Sequence, residues 1–367
     1  MVDPIVSPAA LEFVRLRVDD MPDCIEIARR SFDDLDPDTV RDWFDARIRH
    51  NPWQSSLAAI GVGVRHGRKL IAFRAMFAQP WWFEGQPTVI AFAAHTSIEP
   101  AYRGLGLGSK LIASSCDLAD LTGSTTAGDI TQKVYKKQSF AAIGGQGNDF
   151  FRLRVSYVGS MQSRLGSALG QVVGRAFDGV SAVSERAFGG SRDFRLEQPA
   201  RCSGEFDELW ARARSGYASC LARSSQYLNW RLFEFPTHPL TLVALRDGRG
   251  RLRGYAVWHE MRYAEHVSCA VLRDLFVPQD DDEALRSLMF LAIRHWRRLG
   301  MTWASLEVAS AGLISLFASQ GFERVPSNGN RYHVHSRHPL RRGTLDGWFR
   351  SGLDGDYCDI RLPRPAA

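Results

Sequence analysis

The sequence predicts an α/β (α+β) chain of two similar domains, each a mixed, mostly antiparallel sheet flanked by helices. Three observations carry that prediction. Landmarks recur in the same order in the two halves. Short apolar, strand-like runs alternate with glycine-bearing turns, and amphipathic segments stand between them.

The repeat begins with DWFDARIRHNP (Asp42–Pro52) and NWRLFEFPTHP (Asn229–Pro239), in which the tryptophan precedes the last proline by nine residues each time. A strand-like run follows in both, SLAAIGVGV at 56–64 and LTLVALRD at 240–247. Basic hairpin turns come next, HGRK and DGRGR, and then second strands, LIAFRAMF at 70–77 and GYAVWHE at 254–260. Further on, VYKKQSF (Val134–Phe140) matches LFASQGF (Leu316–Phe322). Trp43 and Trp230 are 187 residues apart, Phe140 and Phe322 are 182 apart, so the two halves stay in step apart from a short gap. Similar domains are therefore expected at 10–155 and 200–338, each ending in a strand–helix–strand–helix–strand unit, with 339–367 as a C-terminal tail.

Between them, residues 156–199 place Leu165, Leu169, Val172, Val173, Phe177 and Val180 close to helical spacing. This reads as a linker helix packed across the two domains. Its arginines also suit a helix lying on a membrane surface, although glycines at 166, 170, 174 and 179 weaken it as a free helix.

The 367 residues carry a formal charge of +6, compatible with an anionic ligand and too small to argue for nucleic acid. Six scattered cysteines form no CxxC pair, so neither a disulfide framework nor a metal site is expected, and a reducing cytoplasm is the expected location. No signal peptide is read at the N-terminus. No apolar run is long enough to span a bilayer, which leaves room only for peripheral membrane contact. Oligomeric state is not readable.

The stretch AYRGLGLGSKL (101–111) carries the chemistry. TVIAFAAHTSIEP (88–100) before it is β-branched and apolar and stops at Pro100, as a strand would. After Gly108, Leu111, Ile112, Ser115, Leu118 and Ala119 fall on one helical face, with Ser109 near the start. The glycines therefore join a strand to a helix N-terminus, where unpaired N–H groups and a partial positive charge favour an anion. Arg103 and Lys110 add cationic charge. The spacing Gly104-x-Gly106-x-Gly108 is neither the dinucleotide fingerprint nor a Walker loop.

Arg103-x-x-Gly106-x-Gly108, with Ile98-x-Pro100 before it and an amphipathic helix after it, resembles motif A of the GCN5-related N-acetyltransferases. Tyr135-Lys136-Lys137-Gln138-Ser139-Phe140 resembles that family's Y-x-K-x-G-F segment, with Ser139 in place of the usual glycine. The resemblance covers residues 13–155, and the second half as a weaker copy. It implies acyl transfer from acetyl-CoA, or another acyl-CoA, to an amine of a small molecule, amino sugar or peptide, without a metal. It implies that Arg103, Gly104, Leu105, Gly106, Leu107, Gly108 and Ser109 hold the pyrophosphate, and that Thr96, Ser97 and Ile98 pair with the pantetheine arm. The N–H of Ala94 or His95 would polarise the thioester, and Tyr135 would protonate the departing sulfur. His95 is also the candidate base, whereas Glu99 is expected to face solvent. The asparagine often found seven residues before the tyrosine is replaced by Gly128.

The second half reads as a degenerate copy. RDLFVPQDDDEALRSLMFLAIRHW has no glycine where the loop should lie, Asp280, Asp281, Asp282 and Glu283 would repel a pyrophosphate, and Phe317 stands in the place of Tyr135. Arg231 is a candidate for an anionic substrate group. Asp354, Asp356 and Asp359 form either a site for an amino group or cation, or a solvated turn. Two other readings remain: a non-catalytic acyl-CoA sensor or assembly module, and an aminoacyl-tRNA-dependent transferase of the peptidoglycan type, against which the glycine loop argues.

Overall fold

A computed structural model describes residues 10–31, 37–143, 149–186, 193–308, 317–318, 321–325 and 332–356. The strands in chain order are β1 (Leu11–Leu16), β2 (Gly61–His66), β3 (Lys69–Phe83), β4 (Gln86–Ile98), β5 (Leu121–Ser124), β6 (Ala141–Ala142), β7 (Asp149–Arg154), β8 (Arg195–Glu197), β9 (Ser219–Leu221), β10 (Thr241–Arg246), β11 (Leu252–Ala264), β12 (Val267–Phe276), β13 (Trp303–Val308), β14 (Glu323–Val325) and β15 (His333–Ser336). They form two sheets. The first runs β1-β2-β3-β4-β5-β15-β6 with β9 beside β3, and the second runs β14-β7-β13-β12-β11-β10-β8. All these pairings are antiparallel except β4–β5 and β12–β13, so the two sheets repeat one pattern: a long meander, then one parallel step.

The sequence boundaries at 155 and 338 do not coincide with the sheets. β7 inserts between β13 and β14 of the second sheet, pairing Arg154 with Trp303 and Asp149 with Val308. β15 inserts between β5 and β6 of the first, pairing His333 with Ser124. Each half thus lends a strand to the other, because a backbone ladder is satisfied by any strand of matching register. The expected tail is also core. Trp348, Phe349 and Leu353 are buried in one apolar cluster with Phe77, Trp81 and Phe92 of the first sheet and Tyr255 and Phe276 of the second.

Helices cover both faces of the first sheet. α1 (Met21–Ser31) and α2 (Pro37–Phe44) lie on one side, where Met21, Cys24, Ile27, Trp43 and Phe44 meet Phe73 and Phe77 of β3. α3 (Leu107–Ser115) lies on the other, where Leu107 and Leu111 meet Ala72, Met76 and Ala78. The alternation of β3 side chains between two apolar faces makes LIAFRAMF a nearly continuous apolar run. α4 (Asp129–Lys137) packs Tyr135 in a cluster with Ile112 of α3 and Cys116 just past its end.

Among the described residues the linker is two helices, α5 (Val158–Leu165) and α6 (Ser167–Arg186), separated at Gly166 with φ +81°. The glycines that weaken a free helix permit this pair: a Cβ on Gly174 would stand 2.4 Å from the Val158 Cα, and one on Gly170 2.4 Å from the Met161 carbonyl carbon. Leu165, Leu169, Val172 and Phe177 stay exposed rather than bridging the domains. No helix among the described residues is long and apolar enough to cross a membrane. The remaining helices are α7 (Gly204–Ala213), α8 (Ser225–Asn229), α9 (Asp282–Arg298) and α10 (Arg342–Asp346).

Candidate active site

The glycine loop leaves β4 through one tight turn at Pro100–Tyr102 and enters α3. Gly104 has φ +86° and Gly106 +73°, a left-handed backbone that glycine adopts without strain. Gly106 caps α3 with no side chain, and a Cβ at either glycine would meet no atom within 4 Å. The first-turn N–H groups of Leu107, Gly108 and Ser109 have no acceptor within the helix. Leu107, 2% exposed, anchors the helix start in the core, whereas Arg103, Leu105 and Ser109 are exposed. Arg103 Nε donates to the Ile98 carbonyl at 3.3 Å. Gln138, from the second motif, donates to Ser109 O at 2.8 Å and Oγ at 3.2 Å, tying the two motifs together. Lys110 lies over the Phe13 ring. Glu99 does not face solvent as expected: it is 6% exposed and paired with Arg30 at 3.1 Å and Lys69 at 2.7 Å.

β4 and β5 splay. They pair only at Ala91–Thr122 and Phe92–Gly123, so residues 93–98 of β4 present a backbone edge that no described strand takes. On the other edge Ser97 pairs with Phe73 and Ile98 with Ala72, and a bulge separates them from Ala94–Ala75. His95 sits in this bulge with φ +46°, a conformation rarely adopted by a residue with a side chain. Its ring meets Trp43 at 4.5 Å and Phe44 at 5.8 Å, on the α2 face. The Ser97 hydroxyl is buried and donates to the His95 carbonyl.

Thr96 faces the other way. Its hydroxyl accepts from Arg74 Nη1 at 2.8 Å, and Arg74 Nη2 donates to the Tyr135 hydroxyl at 2.7 Å. Tyr135 is fully buried and stacks on Phe140 at 4.2 Å. The segment between them passes through Ser139 at φ +60°, the left-handed value that explains why glycine is usual at this point. Arg74 was not anticipated from the sequence, yet it is the single charged residue in LIAFRAMF. That was the available signal.

Solved structures share this arrangement of sheets and helices. A conserved protein of unknown function from Enterococcus faecalis V583, described as a probable N-acyltransferase, matches with a TM-score of 0.60 and 9% identity over 89% of this chain and 72% of its own. A GCN5-related N-acetyltransferase from Anabaena variabilis matches with 0.59 and 17% over the same shares. Saccharomyces cerevisiae N-myristoyltransferase with bound myristoyl-CoA matches with 0.53 and 11%, over 95% of this chain and 92% of that one. The chain has the GCN5-related N-acetyltransferase fold. No protein-family model matches its sequence, and no curated protein does.

The second acetyltransferase-like sheet has a closed counterpart of the loop. Asp281 caps α9 by accepting from Ala284 N at 3.1 Å, and Arg253 binds the same carboxylate at 2.6 Å. Phe317 meets Phe322 edge-on at 5.2 Å, where Tyr135 stacks on Phe140 at 4.2 Å. Arg231 and Trp230 are buried, and Arg231 donates to the Gly355 carbonyl. Asp354 and Asp356 do not form a solvated turn. Asp354 is wholly buried, which pushes its carboxyl up to about 7 against the pull of Arg223, and it accepts from Ser351 N. Asp356 accepts from Thr125 Oγ1 at 2.8 Å beside the end of β5. Asp359 lies outside the described residues. No group of three or more metal-ligating side chains occurs among the described residues.

Proposed function

We propose that this protein is an N-acyltransferase that moves an acetyl or other acyl group from acyl-CoA to an amine of a small molecule, amino sugar or peptide. The observation that carries the reading is the uncapped N-terminus of α3, opened by two left-handed glycines beside a β4 edge that β5 leaves after two residues. On this reading the N–H groups of Leu107, Gly108 and Ser109, with Arg103, hold the pyrophosphate. The pantetheine arm pairs with β4 along Thr96, Ser97 and Ile98, and the N–H of Ala94 or His95 in the bulge polarises the thioester carbonyl.

The two faces of β4 divide the proton chemistry. His95, on the α2 face, takes the proton of the attacking amine. As the C–N bond forms and the C–S bond breaks, Tyr135, on the α4 face, gives its proton to sulfur. The second half keeps the fold and serves as a frame, or contributes acceptor contacts.

Calorimetry with acetyl-CoA on wild type and on Gly106→Glu tests the donor site, and release of free thiol with a panel of glucosamine, spermidine and short peptides tests transfer. We expect wild type to bind and Gly106→Glu to bind at least about 100-fold more weakly, because a carboxylate would face the pyrophosphate. A wild type that binds no acyl-CoA sinks the reading. Binding with no amine acylated would leave a sensor in its place.

A further inference from the structure

Arg74 is an unusual buried cation. It is 2% exposed, and no carboxylate pairs with it among the described residues. Its acceptors are two neutral hydroxyls, Thr96 Oγ1 on β4 and the Tyr135 hydroxyl on α4, while its buried Nε has no partner. A guanidinium has five N–H donors, and leaving a charge unpaired inside a protein is costly. The guanidinium bridges β4 to α4 about 13 Å beyond the last β4–β5 pair, at four residues of strand rise, which places it at the splay.

The second half handles its buried arginine differently. Asp274 stands four residues before Pro278, as Thr96 stands four before Pro100. Asp274 binds Arg223 through both oxygens at 3.0 Å and accepts from the Tyr255 hydroxyl at 3.0 Å. The two arginines lie on opposite sheet faces, since Tyr255 packs in the cluster with Phe206, Leu209 and Trp210 of α7 and Tyr135 packs in the one with Ile112 of α3. Only the second half neutralises its cation. Stability alone would favour the second solution, so the unpaired charge of the first points to a negative charge that exists only during a reaction.

We propose that Arg74 is a positioning residue for acyl transfer, acting through Tyr135 on the departing CoA sulfur; this rests on the acyltransferase reading above. Arg74 already donates to the Tyr135 oxygen, so the phenol's own proton is not used in that bond and is available for transfer. When the tetrahedral intermediate collapses, the C–S electron pair goes to sulfur and the phenolic proton follows it, giving neutral CoA thiol and a phenolate. Arg74 holds that phenolate until the proton taken from the amine returns to it, so charge and protons balance over the cycle. Thr96 fixes the second arm of the guanidinium.

The test compares Arg74→Met, Arg74→Lys and Thr96→Asp with wild type by thermal unfolding, acetyl-CoA calorimetry and thiol release with the best acceptor of the panel. Arg74→Met should lower kcat at least about 100-fold, with the acetyl-CoA Kd within about threefold of wild type and the melting temperature equal or higher. Arg74→Lys should recover part of kcat. Thr96→Asp should fold, pair with the cation and lose kcat as Arg74→Met does. A second reading needs no acceptor: wild type should bind CoA more tightly than desulfo-CoA, and Arg74→Met should abolish the difference.

Wild-type kcat in Arg74→Met overturns the proposal. So does a fall in stability without a change in kcat, which is what a purely structural arginine would give. If Arg74→Met fails to fold, wild-type kcat in Thr96→Asp overturns it instead. A wild type that binds neither acetyl-CoA nor CoA would overturn the acyltransferase reading itself, and is told apart because no variant is then involved.

Discussion

The starts of α3 and α9 are the same element twice, and they have been finished in opposite ways. α3 begins at a bare glycine with φ +73° and no side-chain cap, and a Cβ there would meet no atom within 4 Å. α9 begins at Asp281, whose carboxylate fills the cap and holds Arg253. A helix N-terminus can satisfy its donors with its own side chain or leave them for a ligand. The same contrast recurs at the buried arginines, where Asp274 neutralises Arg223 and Thr96 leaves Arg74 a cation. The helix starts are counterparts, the two arginines lie on opposite sheet faces, and the incomplete member of each pair adjoins β4.

The largest expected effect comes from undoing the satisfied half. Asp274→Ala would leave Arg223, wholly buried, without its counter-charge and Tyr255 without its acceptor. A loss of about 3–5 kcal/mol is expected, read as a fall in the urea midpoint. If the midpoint does not move, Arg223 does not depend on Asp274 for its charge balance.

Next in size is the exchange of the two aromatic residues. Tyr135→Phe should lower the rate of thiol release about 100-fold, or about 2.7 kcal/mol, with acetyl-CoA affinity unchanged. The reverse change, Phe317→Tyr, should create no activity. Its hydroxyl would enter an apolar cluster with Phe151 and Phe322 and cost about 1–3 kcal/mol. Equal turnover by Tyr135→Phe and wild type would remove Tyr135 from the chemistry.

The repeat and the donor loop were legible because they rest on local signals: tryptophan–proline spacing, turn glycines, and a strand that stops at a proline. Local geometry follows the same repeat, for i→i+5 turns close both landmark segments, with His50 N to Asp45 O and Phe235 N to Trp230 O. The strand exchange was not legible. β7 and β15 have similar lengths and either sheet could satisfy their ladders, so pairing is decided by long-range packing that no window of sequence contains. Arg74 was missed, and the C-terminal aspartates were left between a binding site and a solvated turn, for a related reason. A charge in a strand or a glycine-rich tail reads as exposed, and only the fold reveals that Asp354 is enclosed and that Arg74 reaches Tyr135 from 61 residues away.

The smallest effect tests whether Ser139 and Gly321 occupy one shared geometry. Ser139 has φ +60° and Gly321 +80°, each just ahead of a phenylalanine that contacts the preceding aromatic residue, stacked in the first half and edge-on in the second. A side chain in this region costs about 1–2 kcal/mol in contact with the following carbonyl, offset in part because glycine makes the unfolded chain freer by about 0.4–1 kcal/mol. Ser139→Gly should therefore stabilise the protein by up to about 1 kcal/mol, and Gly321→Ser should destabilise it by a similar amount, both read by thermal unfolding. Because the Ser139 backbone sets the path from Tyr135 to Phe140 without touching the glycine loop, acetyl-CoA affinity should stay at the wild-type value in both variants. A destabilised Ser139→Gly would mean that the serine hydroxyl holds this turn in a way its glycine counterpart does not, and the two turns would no longer be copies of one another.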